Sequence, residues 1–432
     1  MEVNNSTTNG NLQAIDQLLA QGGIFDPDDI DEEFYNQDID VGDYIVLFHG
    51  DLGTGARIKT AQEYRSIEET PYHRKQHVVF VPGLFHAKMA AADALHRILV
   101  KPDVAHKDKT NLYGDITVLR PRETGIMLTK PGFRRMHQVI TYAGISRRLD
   151  CWRVLAERRD PAHGDLDQFS ESQPMLHELE EMAEQIVQEL CSTEDLSLER
   201  LKPKSERDEV LENAQLINVY LALYEELSYA MNLGDIGRVE TCILTWIPLF
   251  KSTGKHIYAT FLEQFLLDLH FKYPERLCRA IRYNILINPT GKPAKFRAVD
   301  WLVELHNLDS KVNHGGQGSN YTVKRIIEES SLIGTYKSAQ EVVAQNFALP
   351  KASVLHAEPN MEKTLKDLGA YIAERASHVF TAGRKAVYCV PNMLDKGHGM
   401  MAHGQGGASD EAGKEQDEED APNADDIIGE LM

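Results

Sequence analysis

Tyr44-Ile-Val-Leu-Phe-His-Gly-Asp51 and His77-Val-Val-Phe-Val-Pro-Gly83 are the two stretches that decide the fold. Each is a short apolar run, rich in β-branched residues, that stops at a turn containing glycine, which is typical of a buried strand. Between them, Gly55 to Glu69 has helical spacing of its apolar residues. A strand, a helix and a second strand in this order favour a parallel pair with a right-handed crossover. Residues 44–83 are therefore predicted to form a small α/β unit.

The rest of the chain is predicted to be mainly helical. Candidate helices follow one another from Phe85 to Asn288, with shorter ones at Arg297 to Asn307 and Leu365 to Ala376. One short helix is expected before the strands, around Leu12 to Gln21. The predicted fold class is α/β but predominantly helical. The chain is predicted to divide into an acidic, weakly structured leader (1–43), a strand-helix-strand unit (44–83), a helical insertion (84–296), a carboxylate helix with C-terminal helices (297–386) and a disordered acidic tail (387–432).

Composition excludes several classes of protein. The 432 residues are 42% hydrophobic, enough to bury a large core. No stretch approaches the roughly 20 apolar residues of a membrane helix, and Met1 to Asn11 is polar rather than signal-like. The cysteines are widely separated and form no C-x-x-C pair, which predicts reduced thiols. We therefore expect an intracellular protein with no membrane partner.

The formal charge of −20 is concentrated in two segments. Residues 26–43 contain nine acids and no base, and residues 410–432 contain ten acids and one lysine. Between Lys101 and Arg159 the balance reverses, with thirteen Lys or Arg against six Asp or Glu. A basic patch of this kind can hold a nucleic-acid backbone, and the candidate contacts are Arg134, Arg135, Arg147 and Arg148. The alternative is an ordinary solvated helix face, because no aromatic stacking motif accompanies these bases.

Asp51 and His86 are candidate site residues because each follows a predicted strand. Asp51 comes directly after the first apolar run, and the carboxyl edge of a parallel sheet is where α/β proteins place their sites. A carboxylate there can hold Mg²⁺, but Asp51 can equally cap the helix that follows. His86 begins the helix after the second run and is a candidate ligand or proton carrier. The alternative for His86 is a hydrogen-bonded structural histidine.

A third constellation is Asp300-Trp-Leu-Val-Glu304-Leu-His-Asn307. On a helix, Asp300 and Glu304 lie one turn apart on one face, with Asn307 further along it. Oxygen ligands aligned in this way can bind a divalent cation, or they can simply face water. The candidate metal ligands are thus Asp51, Asp300 and Glu304, with His86 and Asn307 as possible accessories and Mg²⁺ as the expected ion if the protein is active.

Several motifs together resemble one fungal family. FHGDLGTGARI, VVFVPGLFHAKMAAADAL, IYATFLEQFLLDL and INPTGKPAKFRAVDWLVELHN are similar to the basidiomycete domain of unknown function 6589, which is often found beside mobile-element sequence. The resemblance spans roughly residues 44–386. It implies a protein derived from a transposase of the ribonuclease-H-like class, with a partial sheet of that type and a large helical insertion. A nuclear location is implied only by this mobile-element association.

Transposases of that class use three carboxylates to position two Mg²⁺ ions for phosphodiester cleavage. The resemblance implies catalytic roles for Asp51 and Glu304 as the second and third carboxylates. A ribonuclease-H-like core also needs earlier strands and a first strand-borne aspartate, and the residues before Tyr44 offer neither. We therefore expect a catalytically incomplete remnant, inert or reused as a DNA- or protein-binding module. The alternatives are a metal-dependent nuclease using Asp51 and Glu304 and a purely structural helical interaction protein.

Overall fold

The computed structural model describes residues 3–4, 6–26, 44–314, 322–347 and 360–404. The strands in these ranges are β1 Val46–Gly50, β2 Val78–Pro82, β3 Leu286–Ile287 and β4 Arg297–Ala298. The helices are α1 Thr8–Gln21, α2 Leu52–Tyr64, α3 Leu84–Leu99, α4 Leu112–Leu119, α5 Thr124–Thr129, α6 Phe133–Arg159, α7 Leu166–Glu171, α8 Leu176–Leu190, α9 Leu196–Glu199, α10 Glu209–Leu233, α11 Ile236–Ser252, α12 His256–Leu267, α13 Glu275–Asn284, α14 Val299–His314, α15 Val323–Ser330, α16 Ile333–Asn346, α17 Glu362–Glu374 and α18 Met393–Ala402. The prediction of a predominantly helical α/β fold is confirmed.

β1 and β2 form the parallel pair that the sequence predicts. Val46 is aligned with Val78, and Gly50 is aligned with Pro82. Helix α2 connects the two strands, as a parallel connection requires. Because both strands end at the same edge, the segments that follow Gly50 and Pro82 begin side by side.

Helix α1 packs against α2 and forms a small satellite core. Ile15 and Leu19 are buried against Ile58 of α2 and Val78 of β2. The predicted leader therefore contributes a packed helix at the expected position. Residues 27–43, which carry most of its acidic run, lie outside the described residues.

Helix α3 lies at the centre of the main core. All but three of its residues are buried, and it contacts α6, α10, α11 and α14. Its alanines at 87, 90–92 and 94 are small enough for neighbouring helices to approach closely. Burial of the whole helix also buries its first turn, whose free backbone amides then need hydrogen-bond acceptors from the protein itself.

A short antiparallel hairpin leads into α14. Leu286 of β3 is aligned with Ala298 of β4, and α14 begins at the next residue. Gly234, at φ +74°, lies against the ring of Phe296, the residue before β4, and a Cβ atom there would stand 2.9 Å from the ring. Helix α14 then runs along α3 and touches β1, so its acidic face meets the edge where both parallel strands end.

Residues 387–404 belong to the fold, which corrects the predicted start of a disordered tail at residue 387. Tyr388 and Val390 are buried, and the Asn213 side chain donates to the Tyr388 carbonyl and accepts from the Val390 amide. Gly397 of α18 packs so closely on α11 that a Cβ atom would stand 2.0 Å from the Pro248 carbonyl oxygen. Glycine permits close helix packing here, whereas the glycine-rich composition of this segment led to the prediction of disorder. Residues 405–432 lie outside the described residues.

No helix in the described ranges is both long enough and apolar enough to cross a membrane. The longest, α6 and α10, bury charged as well as apolar residues, among them Arg147 and Glu225. Both helices pack on α3 and on each other, and all three helices contribute to the main core.

Candidate functional site

Asp51 caps helix α2. Its backbone is extended, and its Oδ1 accepts a hydrogen bond of 2.6 Å from the Thr54 amide. This is the geometry of an N-cap, in which a carboxylate satisfies one of the free amides of the first turn. The side chain is half-buried at the carboxyl end of β1. Asp51 therefore makes the helix-capping contact that the sequence offered as the alternative to a metal-binding role.

Asp300 caps a different helix, which lies more than two hundred residues earlier in the chain. Its Oδ1 accepts from the Phe85 amide at 3.1 Å, and its Oδ2 accepts from the His86 amide at 3.0 Å. These are free amides of the first turn of α3, and the positive end of a helix dipole favours a carboxylate there. Asp300 is only 3% exposed, so the amides and the carboxylate satisfy one another inside the core.

Gly83 occupies the N-cap position of α3 and has no side chain with which to cap it. A Cβ atom at Gly83 would stand 2.3 Å from Oδ2 of Asp300. Glycine is therefore required here because the Asp300 carboxylate occupies the space of a side chain. The cap of α3 is supplied by α14 instead of by the local sequence.

His86 lies between Asp300 and Glu304 of α14. Its Nδ1 is 3.0 Å from Oδ2 of Asp300, and its Nε2 is 4.0 Å from Oε1 of Glu304. The imidazole is largely buried, and Glu304 is 17% exposed. The expected helical spacing of Asp300 and Glu304 thus brings both carboxylates to one histidine. Asn307 is exposed on the same helix.

His49 joins this group, although the sequence did not single it out. Burial lowers the pKa of the His49 imidazole, and the negative charge of Asp300 opposes that shift. The signal was available in the strand alternation, because residues two apart face the same side of a strand. Leu47 packs on the main core, so His49 lies on the same side of β1, where the charge of Asp300 acts on it. His49, His86, Asp300 and Glu304 together form what we call the edge cluster.

Two of the three residues predicted to hold Mg²⁺ have carboxylate oxygens that are already hydrogen-bonded. Oδ1 of Asp51 and both carboxylate oxygens of Asp300 accept backbone amides. Across the described ranges, no three His, Cys, Asp or Glu side chains are grouped so that they could hold a metal ion.

The four arginines predicted to contact nucleic acid have different surroundings. Arg147 is 1% exposed, and its Nε donates to Asp115 at 2.7 Å, so its guanidinium cannot reach a ligand at the surface. Burial raises the pKa of the Asp115 carboxyl, and the Arg147 charge opposes that shift. Arg148 pairs with Glu225. Arg134 and Arg135 are half-buried, and Arg135 contacts Glu123 at 3.4 Å.

A comparison with protein families finds one match. The family described as "Family of unknown function (DUF6589)" matches residues 1–356. This range includes α1, which the motif resemblance left out, and ends before α17. No curated protein and no solved structure matches the chain.

Proposed function

The chain belongs to the DUF6589 family of unknown function, and we propose that it is a mobile-element-derived binding module that does not itself cleave nucleic acid. The observation that carries this proposal is the use of Asp51 and Asp300 as helix caps. Both aspartates stand at the sheet edge where a metal-dependent nuclease would need free carboxylate oxygens. Oδ1 of Asp51 and both carboxylate oxygens of Asp300 accept amides at the starts of α2 and α3 instead.

Cleavage by two metal ions needs carboxylates that converge on the ions with free oxygens. A metal ion that took these oxygens of Asp300 for itself would displace two buried amides and the His86 imidazole. Such a displacement would leave buried donors unsatisfied, at about 1–3 kcal/mol each. The edge cluster therefore favours a structural role for these acids.

The mobile-element origin, the possible DNA partner and a nuclear location rest on the motif resemblance. The described part of the parallel sheet has two strands, which is consistent with an incomplete ribonuclease-H-like core. Arg134 and Arg135 remain candidate surface contacts for DNA. Arg147 is excluded as a surface contact by its burial.

A single-turnover cleavage assay tests the absence of nuclease activity. Plasmid and short single-stranded substrates would be incubated with excess protein and Mg²⁺ or Mn²⁺, using the wild type, Asp51→Ala and Glu304→Gln. We expect no cleavage above the level of the two variants. Cleavage by the wild type that disappears in Asp51→Ala would overturn the proposal and favour the metal-dependent nuclease. Asp93→Asn, which changes a half-exposed aspartate of α3, is the matched control.

A second candidate function, a helical protein-interaction module, is supported by α16. This helix has no buried residue, and Tyr336, Val342, Val343 and Phe347 expose apolar surface on it and at its end. A helix of this length is marginal without tertiary packing, so a partner that covers it would stabilise it. Sedimentation at rising protein concentration tests self-association, and a Val342→Lys variant with unchanged sedimentation would remove α16 as the contact.

A further inference from the structure

Helix α13 and the turn before it form an exposed surface that combines cations and aromatic rings. Arg276, Arg279 and Tyr283 are exposed and occupy positions i, i+3 and i+7, which share one face of a helix. Phe271 is exposed in the preceding turn. The opposite face is buried through Cys278 and Ile281. We call Phe271, Lys272, Arg276, Arg279 and Tyr283 the α13 surface.

The charge of this region is strongly positive. Residues 272–297 contain seven Lys or Arg and one Glu. Within the part of the chain that the structure describes, Arg276 has no ion-pair partner. Among the described residues Arg279 pairs only with Glu275, and both of those side chains are mostly exposed. An exposed pair contributes little to stability, so Arg279 can exchange Glu275 for a phosphate at small cost.

The two aromatic rings are unusually exposed. Phe271 is 85% exposed and Tyr283 is 77% exposed, so neither ring is needed for packing. Phe271 lies in an irregular segment of backbone, because residues 268–272 form a π-helical turn. Such turns often mark functional sites. The Cys278 thiol donates to the Leu269 carbonyl of this turn, and Nε2 of His270 lies 2.9 Å from Oε2 of Glu240. The two residues before Phe271 in the chain thus contact α13 and α11, while the Phe271 ring itself is exposed.

We propose that the α13 surface binds single-stranded nucleic acid, with bases stacked on Phe271 and Tyr283 and phosphates bound by Arg276 and Arg279. Single strands are bound by a basic surface combined with aromatic stacking platforms. Paired bases in a duplex are already stacked, so these rings discriminate in favour of a single strand. The inference rests on the proposed binding function and names its partner and surface. It does not depend on whether the edge cluster can cleave.

Fluorescence anisotropy with labelled oligothymidylate and oligouridylate of about 20 nucleotides, longer than one stacking site, tests the surface in the full-length chain. We expect Phe271→Ala/Tyr283→Ala to weaken binding at least about tenfold. Arg276→Gln/Arg279→Gln should lower the slope of log affinity against log salt by about 1.4, because each phosphate contact to a single strand contributes about 0.7. The two oligonucleotides report whether DNA or RNA is preferred.

Matched controls separate this surface from a general charge effect. Lys363→Gln/Lys366→Gln removes the same charge from exposed positions of α17, and Tyr64→Ala removes an exposed ring at the end of α2. We expect both controls to bind as the wild type does. Equal binding by the wild type and both α13 variants would overturn the proposal, whatever the cleavage assay shows. No binding by the wild type would also overturn it.

Discussion

Replacing Asp300 by alanine removes the acceptor that holds the start of α3. The carboxylate accepts hydrogen bonds from the Phe85 and His86 amides and contacts the His86 imidazole. In Asp300→Ala the two amides remain buried because α3 is enclosed by other helices. A hydrogen bond to a charged group contributes about 1.5–3 kcal/mol, and an unsatisfied buried donor costs about 1–3 kcal/mol. Because these terms overlap, we expect the free energy of unfolding to fall by about 3–5 kcal/mol.

Asp51→Ala is the matched comparison because it removes the same group from the same kind of position. Asp51 makes one capping bond, to Thr54, and it is half-buried, so its loss should cost about 1 kcal/mol. Urea unfolding followed by circular dichroism measures both variants. We expect the midpoint to shift much further for Asp300→Ala, with an unchanged slope.

A double-mutant cycle with Gly83 tests the geometry directly. Gly83→Ala alone should destabilise the protein because the new Cβ meets Oδ2 of Asp300 at 2.3 Å. In the Asp300→Ala background the same change should cost less but not nothing, because the Cβ of residue 300 still stands 2.9 Å from the new Cβ, whereas the backbone of Gly83, at φ −70° and ψ 119°, suits alanine. Equal costs of Gly83→Ala in the two backgrounds, or an Asp300→Ala cost no greater than that of Asp51→Ala, would refute the capping role of Asp300.

Three further predictions follow from other buried contacts. Arg147→Ala leaves the buried carboxylate of Asp115 without its ion-pair partner and should lower the free energy of unfolding by about 3–5 kcal/mol. The melting temperature measures this loss. Arg134→Gln should change stability by less than about 0.5 kcal/mol. Burial lowers the pKa of His378 from 6.5, so its neutral form stabilises the fold above pH 6.5 and this contribution is lost as pH falls through the lowered value. Between about pH 7 and pH 5.5, the free energy of unfolding should fall less steeply in His378→Gln than in the wild type, by up to about 1.4 kcal/mol per pH unit. Urea titrations at the two pH values measure this difference. Gly397→Ala should weaken the packing of α18 on α11 by about 1–3 kcal/mol. Faster tryptic cleavage after Lys396 measures this effect, and cleavage at the wild-type rate would contradict the close packing of Gly397.

The sequence predicted the parts of the fold that depend on local pattern. The parallel pair follows from two apolar runs and the helix between them, and the shared face of Asp300 and Glu304 follows from helical spacing alone. The partner of Asp300 was not predictable in this way. A local cap leaves a signature next to its helix, but α3 begins with a glycine, and its acceptor arrives from a helix more than two hundred residues away. Only the unexplained glycine before a buried helix hinted at a cap from elsewhere.

Charge counting overstates the net positive charge around residues 101–159 for the same reason. The bases of residues 101–159 greatly outnumber their neighbouring acids, yet Arg148 and Arg158 pair with Glu225 and Glu189, which lie far along the chain. A count of charges within one stretch of sequence does not include the acids that folding brings close to an arginine. The bases of residues 272–297 are no more numerous, but Arg276 and Arg279 project from an outer helix face where few acids can reach them. A basic segment is thus a candidate for binding phosphate when its fold leaves the charges uncompensated, and exposed rings beside such charges strengthen the case further.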